Sequence, residues 1–159
     1  MMGGGPGTSN GTRVSRDTDR PGGPSASQER AVHDRVGTVL PAVAPSVAAS
    51  RRFVAATLRR HRALPETIDV ACLLTSELVT NALVHARSPV HLTVLVDERG
   101  FRVEVGDSSP VEAQRRDADP DDLSGRGLHI VDAMSSRWGA IPGAEGKRVW
   151  FELDAPHLA

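Results

Sequence analysis

The stretch Ser76-Glu77-Leu78-Val79-Thr80-Asn81-Ala82-Leu83-Val84-His85-Ala86 decides how the rest of the chain is read. It belongs to a helix whose first turn suits Pro65, whose positive end is complemented by Glu66 and Asp69, and which Pro89 stops after His85 and Arg87. At about 100° per residue, Glu77 and Asn81 share a face one turn apart. Val70, Leu73, Leu74 and Val84 project to the same side, so a carboxylate and an amide are expected inside a core-facing arc. Burying a bare carboxylate is costly unless it is paired or hydrogen-bonded. The pair is therefore either satisfied within the helix or part of a site.

Downstream, residues 90–96 alternate as a strand, Asp97 to Gly100 form a turn, and residues 101–107 return as a hairpin partner. In Phe101, Val103, Val105 and Asp107, every second residue is apolar until the last, which is acidic. Alternation points Asp107 to the core side at the strand end. There it can accept a hydrogen bond from an exocyclic amine such as that of adenine, or simply initiate a turn before Ser108-Ser109-Pro110. Residues 108–124 are polar and hold Asp117, Asp119, Asp121 and Asp122, which predicts a long loop of the kind that often serves as a lid. Ser124-Gly125-Arg126-Gly127-Leu128 then opens a helix expected over 128–134. Glycines just before a helix let backbone N–H groups approach an anion, although glycine also serves plain loop geometry. The segment lacks the G-K-[ST] ending of a P-loop and does not follow a strand as a dinucleotide fingerprint does. Residues 137–141 and 147–153 read as a closing hairpin.

Upstream, residues 36–40 suit a short strand. Ser46 is the expected N-cap of a helix with Val47, Val54 and Leu58 on one face. Arg51, Arg52, Arg59, Arg60 and Arg62 lie off that stripe and read as a solvated face, with no aromatic residues interleaved for base stacking. Residues 1–34 are expected to be a disordered tail: seven of the fifteen glycines fall within the first thirty positions, and such composition cannot offset its ordering entropy. Residues 35–159 form the expected domain. Its element order predicts an α+β fold: a two-layer sandwich of one mostly antiparallel (mixed) sheet, covered on one face by about three helices.

Composition narrows the function. The chain has 159 residues, a net charge of −1 and a pI near 6.6, which does not point to direct nucleic-acid binding or an anionic membrane surface. No apolar run in the sequence approaches the roughly 18 residues of a membrane span. Cys72 is the sole cysteine, so an intrachain disulfide is excluded, and a cytoplasmic location is expected. The six histidines have no zinc-ligand spacing, and no G-x-S-x-G elbow is present.

Taken in order, the motifs resemble a known superfamily. The stretch from Ser76 to Ala86 resembles the N-box of the GHKL ATPases, which include gyrase, MutL and histidine kinases. Val103-Glu104-Val105-Gly106-Asp107 resembles their adenine-binding strand end, and Gly125-Arg126-Gly127-Leu128-His129-Ile130-Val131 their second glycine motif. Spacing and size are most similar to the anti-sigma-factor serine kinase branch, over about residues 36–154. The resemblance implies a fold of GHKL type and the cofactors ATP and Mg²⁺. It implies Glu77 as general base and Asn81 as the Mg²⁺ ligand. Asp107 would take the adenine amine, with His85, Gly125, Arg126, Gly127, Leu128 and Arg148 also about the nucleotide. The implied activity is phosphoryl transfer to a serine of an anti-sigma-factor antagonist, with a sigma factor as second partner and a homodimer left open. The alternative is a module of the same fold that binds nucleotide or partner without catalysis. Two positions depart from the family pattern. Asp107 is followed by Ser108-Ser109-Pro110 in place of D-x-G-x-G, and Arg148 stands where a threonine is usual.

Overall fold

The computed structural model describes residues 31–108, 123–143 and 146–155, with side chains described from Gly127 onward in the helix that begins at Leu123. Of the tail expected over 1–34, residues 1–30 lie outside the described residues, as does most of the expected long loop, and Asp34 already belongs to the first strand. Eight elements follow in order: β1 (Asp34–Leu40), α1 (Pro45–Arg60), α2 (Pro65–Ala86), β2 (Val90–Asp97), β3 (Gly100–Gly106), α3 (Leu123–Met134), β4 (Arg137–Gly143) and β5 (Gly146–Asp154). The strands form one five-stranded sheet in the order β1-β2-β3-β5-β4, every neighbouring pair antiparallel. This is the expected α+β layer, with a sheet that is antiparallel throughout.

The core lies between the sheet and the helices. Alternation buries Leu92 and Val94 of β2, Val103 of β3 and Phe151 of β5 completely, against Val54 and Leu58 of α1 and Leu74 and Val79 of α2. The start of α1 differs from expectation. The helix begins at Pro45 after Ala44 with no side-chain cap, and the buried Ser46 hydroxyl instead donates to the Pro41 carbonyl at 2.6 Å. Proline at the first turn already lacks one of the donors a cap would satisfy.

α2 also corrects the sequence reading. Its buried stripe runs through Ala71, Leu74, Leu78, Val79 and Ala82, whereas Leu73 is 40% and Val84 63% exposed. Glu77 and Asn81 therefore lie beside the core stripe, half-buried, and not inside it. Contrary to the expectation of no membrane-length apolar run, this 22-residue helix is long and apolar enough to cross a membrane by length and composition alone. Here its buried stripe forms part of the core.

The other face of the sheet carries charge. Glu104 and Glu152 are buried there because arginines cover them. Arg102 bonds Glu104 at 2.8 Å and Glu152 at 3.2 Å while its guanidinium sits 3.9 Å over the Trp150 ring. Arg137 bonds Glu152 at 2.6 Å and Asp154 at 2.7 Å, and these bonds hold its guanidinium above the ordinary arginine pKa. Charge-assisted bonds of this kind offset the desolvation of two carboxylates.

Candidate active site

Three of the sequence-predicted residues meet where α3 crosses α2. A methyl group added at Gly127 would fall 2.9 Å from Glu77 Oε2 and 3.3 Å from Asn81 Nδ2. Gly127 is itself buried. The missing side chain thus lets the α3 backbone pack directly over one carboxylate and one amide, set one helical turn apart.

The glycines reach this place by a different route from the one expected. α3 starts at Leu123, so Gly125 and Gly127 lie inside the helix instead of in a turn before it. In an α-helix only the first few N–H groups lack an intrahelical acceptor, so Gly125 keeps the anion-binding geometry and Gly127 does not. The contribution of Gly127 is its lack of volume. Leu128 and His129, which follow, are exposed on α3. The side chain of Arg126 is outside the described residues.

Asp107 follows β3, half-buried, and the alternation of Val103 and Val105 carries it toward the helix-covered face. Its position is over-determined by backbone. The Asp107 N–H donates to the Lys147 carbonyl at 2.9 Å, and the next N–H, of Ser108, donates to Ser88 Oγ at 3.2 Å. Ser88 lies just past the end of α2, so this bond ties the Asp107 corner to the helix end where the exposed His85 stands. Gly146 completes the corner: its φ is +154°, and a Cβ there would fall only 1.8 Å from the Asp107 carbonyl oxygen. No other residue permits that approach.

Arg148 is the exception among the predicted nucleotide residues. It pairs across the strands with Gly106 on the charged face of the sheet, 53% exposed on its side chain, with Nη1 3.6 Å from Glu104 Oε2. By strand parity the residue on the Asp107 side is Lys147, in phase with Val149, Phe151 and Leu153. Sequence reasoning missed Lys147, Gly146 and Ser88. The apolar phase of residues 149–153 carried the signal for Lys147, whereas Gly146 and Ser88 act through long-range backbone contacts that leave no local pattern.

The site therefore offers a carboxylate and an amide side by side against the α3 backbone, the first turn of α3 at Gly125, and a second carboxylate at a fixed corner. Such a donor set fits a phosphorylated nucleotide: the amide oxygen of Asn81 is a hard ligand suited to Mg²⁺, and Asp107 is an acceptor suited to a base amine. The family model of the histidine kinase-like ATPase domain matches residues 40–153, which spans the elements named above except β1, of which it takes only Leu40, and the last residue of β5. No curated protein is a significant match to the chain. With the match covering well over half of its length, the chain belongs to the histidine kinase-like ATPase family, whose domain implies ATP binding.

Proposed function

We propose that this domain is a Mg²⁺-ATP-dependent protein-serine kinase of the anti-sigma-factor type, which phosphorylates a serine of a small antagonist protein and controls a sigma factor. The observation that carries the reading is the close approach of Gly127 to Glu77 and Asn81. A glycine inside a helix costs about 1 kcal/mol relative to alanine, and here it brings the α3 backbone directly against both polar side chains. Asn81 would hold Mg²⁺ through its side-chain oxygen. Asp107 would accept the hydrogen bond of the adenine amine, and the start of α3 would face the phosphates. Glu77 would take the proton of an incoming serine hydroxyl as the phosphoryl group passes to that oxygen. Bound Mg²⁺-ATP supplies the phosphoryl group and the charge neutralisation that such transfer chiefly requires.

Glu77→Gln keeps the shape and removes the basicity. ATP should still bind, while radiolabel transfer to a serine of a partner captured from the source cell falls about 10²–10⁴-fold, the usual worth of a general base. Asn81→Ala should abolish the Mg²⁺-dependent part of ATP affinity with the fold intact. Wild-type protein that binds ATP and the partner yet transfers nothing would overturn the kinase reading and leave a nucleotide-gated binding module.

A further inference from the structure

The charged face of the sheet contains a hollow of about 570 Å³, within the size range of small-molecule sites, whose lining includes Arg35, His91, Thr93, Glu104, Ile141 and Arg148. The register explains why it exists. One cross-strand row reads Gly37, Thr93, Glu104, Trp150 and Gly139, and the next reads Val39, His91, Gly106, Arg148 and Ile141. Three positions in these rows therefore carry no side chain. Gly139 makes room for the Trp150 ring, which a Cβ there would meet at 2.9 Å, whereas Gly37 and Gly106 are not there for want of space. A Cβ at Gly37 or Gly106 would meet nothing nearer than 3.5 Å and 3.6 Å, ordinary contact distances.

The charges around the hollow favour an anion. Arg35, Lys147 and Arg148 line it, against Glu104 and Asp107. Glu104 is already bonded by Arg102 at 2.8 Å, and parity assigns the side chains of both Asp107 and Lys147 to the helix-covered face, so the balance on this face rests on Arg35 and Arg148. Arg148 approaches Glu104 only to 3.6 Å, so most of its five donors remain for another acceptor. Arginines in a fixed fork geometry suit phosphate and carboxylate groups, with the Thr93 hydroxyl as a neutral donor beside them.

We propose that this hollow is a binding site for a small multivalent oxyanion, a phosphate ester or a polycarboxylate, on the face of the sheet opposite the nucleotide site. It stands independently of the kinase reading. Trp150 lies in the same row as Thr93 and Glu104 and serves as the reporter. In a Trp138→Phe protein it is the sole tryptophan, since the chain has two. Titration with inorganic pyrophosphate and, separately, citrate should change its fluorescence saturably. Response to both anions assigns recognition by charge, and response to one assigns the phosphate or the carboxylate class. Arg35→Ala and Arg148→Ala should each weaken the anion roughly tenfold or more, the usual cost of losing a charge-assisted bond. Arg35→Gln, with its melting temperature checked, guards against a folding defect, and ATP affinity of the Arg35 variants should be unchanged. Absence of any saturable response overturns the proposal. So does binding that survives the Arg35/Arg148 double substitution but is lost in Asn81→Ala, because the anion would then sit in the nucleotide site.

Discussion

Thr75 is fully buried in α2 and its hydroxyl has no hydrogen-bond partner among the described residues, the opposite circumstance from Glu104 and Glu152, which are both bonded by arginine. An orphaned hydroxyl costs about 1–3 kcal/mol, and valine has nearly the same shape. Thr75→Val should therefore raise stability by about 1 kcal/mol in a thermal or denaturant melt. Asp107 tests recognition at the same scale. Asp107→Asn replaces a charged acceptor by a mismatched amide and should weaken ATP by about 1–3 kcal/mol. GTP has a carbonyl in place of that amine and should bind poorly. Calorimetry giving equal ATP and GTP affinities in both proteins would remove the adenine assignment. Asp107 was legible in the sequence because it breaks an apolar alternation. Arg148 was misplaced because its neighbourhood was read as a motif and not by parity, which assigns it with Trp150 and Glu152 to the other face.

α3 shows where local rules give way to packing. Two glycines two residues apart argue for a turn, since each weakens a helix, and the helix is accordingly expected to start at residue 128. It starts at Leu123, and the close crossing on α2 leaves no room for a side chain at 127. The same conflict produces a prediction. Gly127→Ala removes a helix-breaking residue, worth about 1 kcal/mol, but places a methyl 2.9 Å from the Glu77 carboxylate. That carboxylate is the far end of a flexible side chain and can swing away, so the melting temperature should hold or rise while phosphotransfer falls. A large loss of stability with transfer preserved would show that Gly127 serves packing alone. α2 was the most legible element: its ends at Pro65 and Ala86 follow from proline and charge at the first turn and from His85 at the last. Its face was misjudged because Leu73 and Val84 are exposed, so apolar identity alone did not mark the core.

Across the whole molecule, the sheet order places β1 at one edge and β4 at the other, and the start of β1 is fastened to the end of α1. Asp34 Oδ2 lies 2.8 Å from His61 Nε2 and 3.2 Å from Arg60 Nη2, and the hydrogen bond from His61 chiefly lowers the Asp34 pKa. A lowered carboxylate pKa contributes stability that is complete above the unfolded value and lost as pH falls through the folded one. The melting difference between wild type and Asp34→Asn should thus persist at neutral pH and close as pH drops below the ordinary value of 3.8. Element order and layer were legible from periodicity, whereas strand order and this clasp depend on contacts between residues 27 apart in the chain.

The two edges are not equivalent. The Lys147 carbonyl is directed at β3, so its partner Pro142 turns its backbone away from β5, outward at the β4 edge. Proline there has no N–H to offer a further strand. The β4 edge thus lacks a donor at its hairpin end, while β1 contains no proline, so edge-to-edge pairing of this fold is favoured through β1 over β4.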